Sequence, residues 1–194
     1  MSVTLLRRAD YRRMRWKFDL GWTTEILRQP DHDGFDLRLS VAEIESDAPF
    51  SPFAGLDRSL LLLEGNGMEL RIGDAPPQLM NTRGQIVRFA GETPVEARLL
   101  DGPTRDFNVM TRRATCTHQA WYRPLVGPVV LDAGPGVEWI AHLVSGAPGA
   151  STSKMHRNSP AATPCTCGTT RSAHAWCSVA GANWCWCGSR RADK

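Results

Sequence analysis

Residues 1–147 hold one cysteine, Cys116, of the six in this 194-residue chain. That leaves the stretch without the disulfide framework on which small secreted domains depend. It also lacks any apolar run as long as a membrane span, and the apolar stretch within Met1–Asp10 is too short for a secretory leader. The expectation is a cytoplasmic protein that does not engage a membrane. No segment shows convincing helical periodicity, beyond a short turn at Ser51–Asp57. The phosphate loop, serine nucleophile elbow and kinase signature are missing, and Gly65-Asn66-Gly67 lacks the further glycine and helix that a phosphate site requires. His32 sits in a loop-like Asp31-His32-Asp33-Gly34, while His118 and His142 have no neighbours at metal-ligand spacing. Neither a metal nor another cofactor is called for.

Charge of one sign is in short supply too. The chain carries 23 Lys and Arg against 20 Asp and Glu, a formal +3. That surplus belongs to the last stretch: residues 148–194 hold six basic residues and one acidic, leaving 17 against 19 before them, a net −2. A global electrostatic case for nucleic acid therefore disappears.

The stretch from Pro148 to Lys194 has a composition unlike that of a folded domain. Met155 and Val179 are its only large aliphatic residues, and it has no phenylalanine, yet five of the six cysteines and three of the seven tryptophans gather there. The genetic code offers an explanation. Trp has one codon and Cys two, so Asn183-Trp184-Cys185-Trp186-Cys187, read one nucleotide earlier, must give Leu-Val-Leu-Val. With GC-rich codons the same shift turns the segment from Ala175 to Ser189 into two apolar strands joined by a glycine turn. Residues 148–194 are therefore expected to be an out-of-frame, non-native tail, disordered or poorly packed. Function is then carried by residues 1–147. Cys165-x-Cys167 and Cys185-x-Cys187 are one residue shorter than common zinc spacing, and the shifted frame explains them better.

What is present is alternation. Phe35, Leu37, Leu39 and Val41 alternate with Asp36, Arg38 and Ser40, a period of two that predicts a half-buried strand. Arg58–Glu64 leads through Gly65-Asn66-Gly67 into Met68–Ile72, which reads as a hairpin. Val95–Leu99 and Val137–Leu143 also alternate, with turn clusters such as Asp101-Gly102-Pro103 between. The fold class is all-β, a sandwich or barrel.

Arg38 and Ser40 share the polar face of their strand. In a small barrel that face can line a pocket in which a planar guanidinium grips a carboxylate, or it can be a solvated face. Asp106, Asn108 and Met110 share one face of another extended segment, where the polar pair either ties loops together or meets a ligand.

Taken jointly, Trp16-Lys17, Gly21-Trp22-Thr23-Thr24-Glu25-Ile26, Arg38-Leu39-Ser40, Pro49-Phe50-Ser51-x-Phe53-x-Gly55-x-x-Arg58, Leu63-x-Gly65-x-Gly67 and Asp106-x-Asn108-x-Met110 resemble the HutD/Ves family in order and spacing over residues 1 to about 147. The resemblance implies a cupin-like (RmlC-like) all-β fold, usually described as two related barrel halves, without the metal-binding histidines of enzymatic cupins. It implies a bacterial regulator of histidine utilisation that binds urocanate or a formylated breakdown intermediate. Carried onto this chain, it points to Arg38 as carboxylate clamp, with Lys17 and Asn108 as helpers. Ser40, Thr23 and Asp106 stand in the same matched motifs, and Arg58 is expected to brace a loop. Two copies pairing through sheet edges into a homodimer is a further expectation.

Two departures stand out. Members of the family usually follow Trp-Lys with Asn-Gly-Gly-Gly, whereas this chain has Phe18-Asp19-Leu20-Gly21, a loss of two glycines in a loop that uses positive φ or close backbone approach. The tail is the second. Two other functional readings stay open: a cupin-type isomerase or related enzyme using Asp106 or Glu25 as base, and a degenerate inactive product.

Overall fold

The computed structural model describes residues 6–32, 34–125, 128–131, 137–145, 175–178 and 182–191. The chain divides into two compact units, Leu6–His118 and Gln119–Arg191. Among the described residues, apart from two single 3-10 turns, Arg8–Asp10 and Lys17–Asp19, every regular element is a strand. The all-β architecture expected from the alternating segments, with the cupin-like barrel that the resemblance implies, is the one that forms.

The first unit is a two-sheet antiparallel barrel. Its large sheet has the order β1-β2-β3-β10-β5-β8, with β1 at Arg12–Arg15, β2 at Gly21–Gln29, β3 at Leu37–Ile44, β5 at Leu56–Glu64, β8 at Ile86–Ala90 and β10 at Thr104–Arg112. The small sheet has the order β4-β9-β6-β7, with β4 at Ala48–Pro49, β6 at Met68–Ile72, β7 at Gln78–Met80 and β9 at Val95–Leu99. Between the sheets lies an apolar core that includes Ala42, Ile44, Leu60, Leu62, Met68, Leu70, Met80, Val87 and Val95. The solvent-exposed edge strand β1 reads Arg-Arg-Met-Arg, the kind of charged edge that discourages another strand from adding on.

Two expectations change here. The strand at Leu37–Ile44 is not half-buried: seven of its eight residues are buried, so the face carrying Arg38 and Ser40 is the barrel interior rather than a wet surface. The segment around Gly65-Asn66-Gly67 is not a hairpin turn. β5 pairs with β10 and β8, and β6 pairs with β9 and β7, so the turn carries the chain from one sheet to the other. Its glycines are required for a different reason than hairpin closure. Both have φ of +93°, and a Cβ would stand 2.5 Å from the Pro103 carbonyl oxygen at Gly65 and 2.1 Å from that of Met80 at Gly67.

The loop of the first departure shows its cost directly. Phe18 and Asp19 occupy the left-handed region at φ 63° and 56°, where side-chain-bearing residues are disfavoured by roughly 1–2 kcal/mol each. The conformation that glycines would supply is retained without them. Arg15 helps hold it, donating to Asp19 Oδ1 at 3.0 Å and to the Asp19 carbonyl at 2.7 Å.

In the second unit, β11 (Cys116–Leu125, its first three residues belonging to the first unit), β15 (Ala182–Arg191) and β13 (Val137–Ser145) form one sheet, and β12 (Pro128–Leu131) pairs with β14 (Ala175–Ser178). The strand expected at Val137–Leu143 is β13. β14 and β15 fall where the shifted reading frame would write two apolar strands; residues 146–174 lie outside the described residues.

Candidate functional site

The inner face of the large sheet changes character along its length. Near Ile44 and Leu62 it is apolar. Further along, two rows of polar side chains cross the strands. In one row Glu25 pairs with Ser40 and Ser40 with Asn108; in the next, Met110 is flanked in register by Arg38 on β3 and Arg58 on β5. Two strand spacings separate these arginines, about 10 Å between Cα atoms. All of these side chains are buried.

A β-bulge between Glu25 and Leu27 resets the alternation of β2. Glu25 pairs with Ser40 and Arg28 with Arg38, so two residues three apart face the same side. Arg38 Nε donates to Glu25 Oε2 at 2.6 Å, and Arg28 Nη2 donates to the same oxygen at 2.8 Å. Burial pushes the Glu25 carboxyl up, but the two guanidiniums outweigh it and hold the group below the usual carboxylate range. Glu25 therefore anchors Arg38 by one edge. Among the described residues Arg38 makes its side-chain hydrogen bond through Nε, which leaves its Nη edge free of protein acceptors on the inner face it shares with Ser40. An end-on carboxylate would take two bonds from such a fork.

Arg58 is held differently. Its guanidinium lies 4.9–5.5 Å from the ring centroids of Phe50, Phe53 and Phe89. Nη1 donates to the Ser51 carbonyl at 3.3 Å, which braces the loop as expected, and Nη2 donates to Asn108 Oδ1 at 2.8 Å. Asn108 Nδ2 in turn donates to Asp106 Oδ1. Arg58 Nε and Asp106 Oδ2 are buried without a partner. Burial lowers Arg58 to about 10, so it stays cationic at pH 7. Burial pushes Asp106 up to about 8 against the pull of Arg58 and Asn108, so it keeps its proton at neutral pH. With Asp106 neutral, Glu25 is the one carboxylate charge set against Arg38, Arg58 and the half-buried Arg28, so this part of the barrel interior is net positive.

The structure thus brings together Arg38, Ser40, Asn108 and Asp106 of the expected site residues. Thr23 lies on the same inner face, but its Oγ1 already accepts from Trp16 Nε1 at 2.7 Å. Lys17 is not brought to Arg38. It is exposed in the turn before β2, where Gly21 pairs with Ile44, six residues along β3 from Arg38 and hence about 20 Å away at the backbone. Asn108 spends one amide end on Arg58 and the other on Asp106, so it orients Arg58 more than it awaits a ligand. Glu25 as anchor and Arg28 as its second cation were missed by sequence reasoning. An acid next to Ile26 and Leu27 in a strand was the available signal, since buried carboxylates need partners.

On the opposite face of the sheet, His118 lies between Ser59 Oγ, 2.8 Å from Nε2, and Thr111 Oγ1, 2.7 Å from Nδ1. Burial lowers it to about 4, with the Arg88 charge adding to the effect. It is a neutral, fully bonded histidine. Among the described residues no three His, Cys, Asp or Glu side chains converge as a metal site, and no helix is long and apolar enough to cross a membrane.

The HutD family matches residues 8–186, nearly the whole chain. The chain belongs to the HutD family. Among relatives, an uncharacterised 21.2 kDa protein of the hutC 3′ region of Pseudomonas putida is 44% identical over 111 residues, covering 56% of this chain and 58% of that protein. Protein Ves of Cronobacter sakazakii is 39% identical over 105 residues, 54% of this chain and again 58% of the relative. This HutD-family chain therefore spans little more than half the length of these relatives. Two solved structures share its fold across 99% of this chain and 100% of their own. A conserved protein of unknown function from Pseudomonas aeruginosa PAO1 has a TM-score of 0.77 at 26% identity, and HutD from Pseudomonas fluorescens SBW25 has 0.73 at 22%.

Proposed function

We propose that this HutD-family chain is a non-enzymatic cytoplasmic regulator of histidine utilisation. It binds a small carboxylate, urocanate or a formylated breakdown intermediate, on the inner face of the barrel. The observation that carries the reading is Arg38: a buried guanidinium on the same inner face as Ser40, anchored at Nε by Glu25, with Nη groups that make no hydrogen bond among the described residues. A buried cation in surplus costs free energy that an incoming carboxylate offsets. By holding free inducer down, such a protein limits induction of the pathway, provided its concentration is comparable to that of the ligand.

The test is a thermal melt with and without excess urocanate, repeated with a formylated amino acid. Ligand bound to the folded state raises the midpoint, by about 2.7 kcal/mol of stability at a hundredfold excess over Kd. No shift with either compound removes the proposal.

A second reading, a cupin-type enzyme, draws on Asp106, whose raised pKa is a pattern common in active sites. Two features weigh against it. Asp106 is fully buried, and Glu25, tied to two guanidiniums, is a poor base. Turnover of the bound compound, followed by its absorbance or by product analysis, would favour this reading over binding alone.

A further inference from the structure

The outer face of the small sheet carries a charge pattern that the barrel interior does not need. Met68, Leu70, Val95 and Ala97 point into the core, so Glu69, Arg71, Glu96 and Arg98 point away from it. The β6–β9 register sets Glu69 opposite Arg98 and Arg71 opposite Glu96. The result is a two-by-two checkerboard. Its internal pairing is loose: Arg71 and Glu96 are 4.0 Å apart, with side chains 61% and 71% exposed. A cleft of about 350 Å³ opens among these four residues, Asp47 and Pro49.

Apolar side chains border the same face. Leu79, opposite Glu69 across the β6–β7 pair, is 48% exposed, and Leu100, two residues beyond Arg98, is 45% exposed. They are two of the four exposed large hydrophobics in the described residues, and the other two, Met14 and Phe18, lie elsewhere, at the β1–β2 hairpin.

We infer that this face docks a second copy of the chain, face to face about a twofold axis lying in the plane of the sheet. A checkerboard of alternating charge is complementary to itself under that operation. With the axis along the strands, Glu69 meets Arg98 of the other copy and Arg71 meets Glu96. With the axis across them, Glu69 meets Arg71 and Arg98 meets Glu96. Either way all four contacts join opposite charges, the isologous arrangement typical of closed dimers. A partner of one charge sign, such as nucleic acid, would meet two repulsions for every two attractions. The exposed Leu79 and Leu100 supply the apolar border. The face is small, about 15–20 Å on a side from strand spacing and rise, so the dimer is of the weak, salt-sensitive kind.

Sedimentation equilibrium of the full chain, from low to several hundred micromolar and at low and high salt, is the test. The expected result is a monomer–dimer equilibrium whose dissociation constant rises about tenfold or more with salt. Arg71→Glu with Arg98→Glu makes the face uniformly acidic and should abolish the dimer in either axis geometry. Inverting all four charges (Glu69→Arg, Arg71→Glu, Glu96→Arg, Arg98→Glu) rebuilds the checkerboard with opposite sign and should restore it. A monomer at every concentration in low salt overturns the inference. So does a dimer or aggregate unchanged by the acidic double substitution, or a fourfold inversion that stays monomeric.

Discussion

Asp106→Asn should erase a specific part of the pH dependence of stability. The folded Asp106 titrates at about 8 and the unfolded one at 3.8, so between these values the folded chain holds a proton that the unfolded chain has lost. Stability then falls as pH rises, by about 1.4 kcal/mol per unit. His118 works in the opposite sense. Its folded value is about 4 against 6.5 unfolded, so across that window the unfolded chain binds the extra proton and stability rises with pH. Between about 4.5 and 6.5 the two slopes cancel; below 4.5, the unfolded value of Glu25, the depressed pKa of that carboxyl begins to remove stability. Above 6.5 Asp106 dominates. From pH 6.5 to 8 the chain should lose about 1.3 kcal/mol, because the slope halves near the folded Asp106 value and the end of the His118 rise offsets part of it. Asparagine keeps the shape and a carbonyl to accept from Asn108 but cannot titrate. Urea unfolding midpoints at pH 5, 6.5 and 8 should therefore show a plateau and then a fall in the parent chain, with no fall in Asp106→Asn. An equal fall in both proteins would refute the reasoning.

Other changes have equally definite expectations. Gly67→Ala places a Cβ 2.1 Å from the Met80 carbonyl oxygen at φ +93° and should cost more than about 2 kcal/mol, whereas Phe18→Gly relieves a left-handed residue and should gain about 1 kcal/mol; thermal melts should move in opposite directions. Arg58→Ala removes the brace on Ser51 and the partner of Asn108 inside a cage of three phenylalanines, and should destabilise by about 2 kcal/mol in chemical denaturation, the cost of leaving buried acceptors unsatisfied. Rewriting residues from 148 onward in the shifted frame supplies Leu-Val-Leu-Val at the β15 positions, and should sharpen the melt and add several kcal/mol if those side chains are buried. An unchanged melt would contradict the frame account.

Alternation made the strands readable: Leu37–Val41, Val95–Leu99 and Val137–Leu143 all form where the period of two placed them. Which face was wet was not readable. Arg38 and Ser40 look like a solvated face because a polar residue every second position reads the same whether it meets water or a barrel interior. The Gly65–Gly67 turn looked like a hairpin because its glycines serve a sheet-to-sheet corner equally well, and only the pairing of β5 and β6 with other strands distinguishes the two. Arg28 was hidden by the bulge after Glu25, which breaks the parity that assigns faces. The motif resemblance located Arg38, Ser40, Asp106 and Asn108, since these share one sheet face. It could not place Lys17, whose position depends on the length and direction of a hairpin rather than on strand parity.

Calorimetric titration of urocanate into the parent chain, Arg38→Ala and Lys17→Ala tests the central claim most directly. The account predicts binding to the parent, a loss of about tenfold or more on removing Arg38, a charge-assisted pair worth roughly 1.5–3 kcal/mol, and no change on removing Lys17. Undiminished affinity in Arg38→Ala would contradict it.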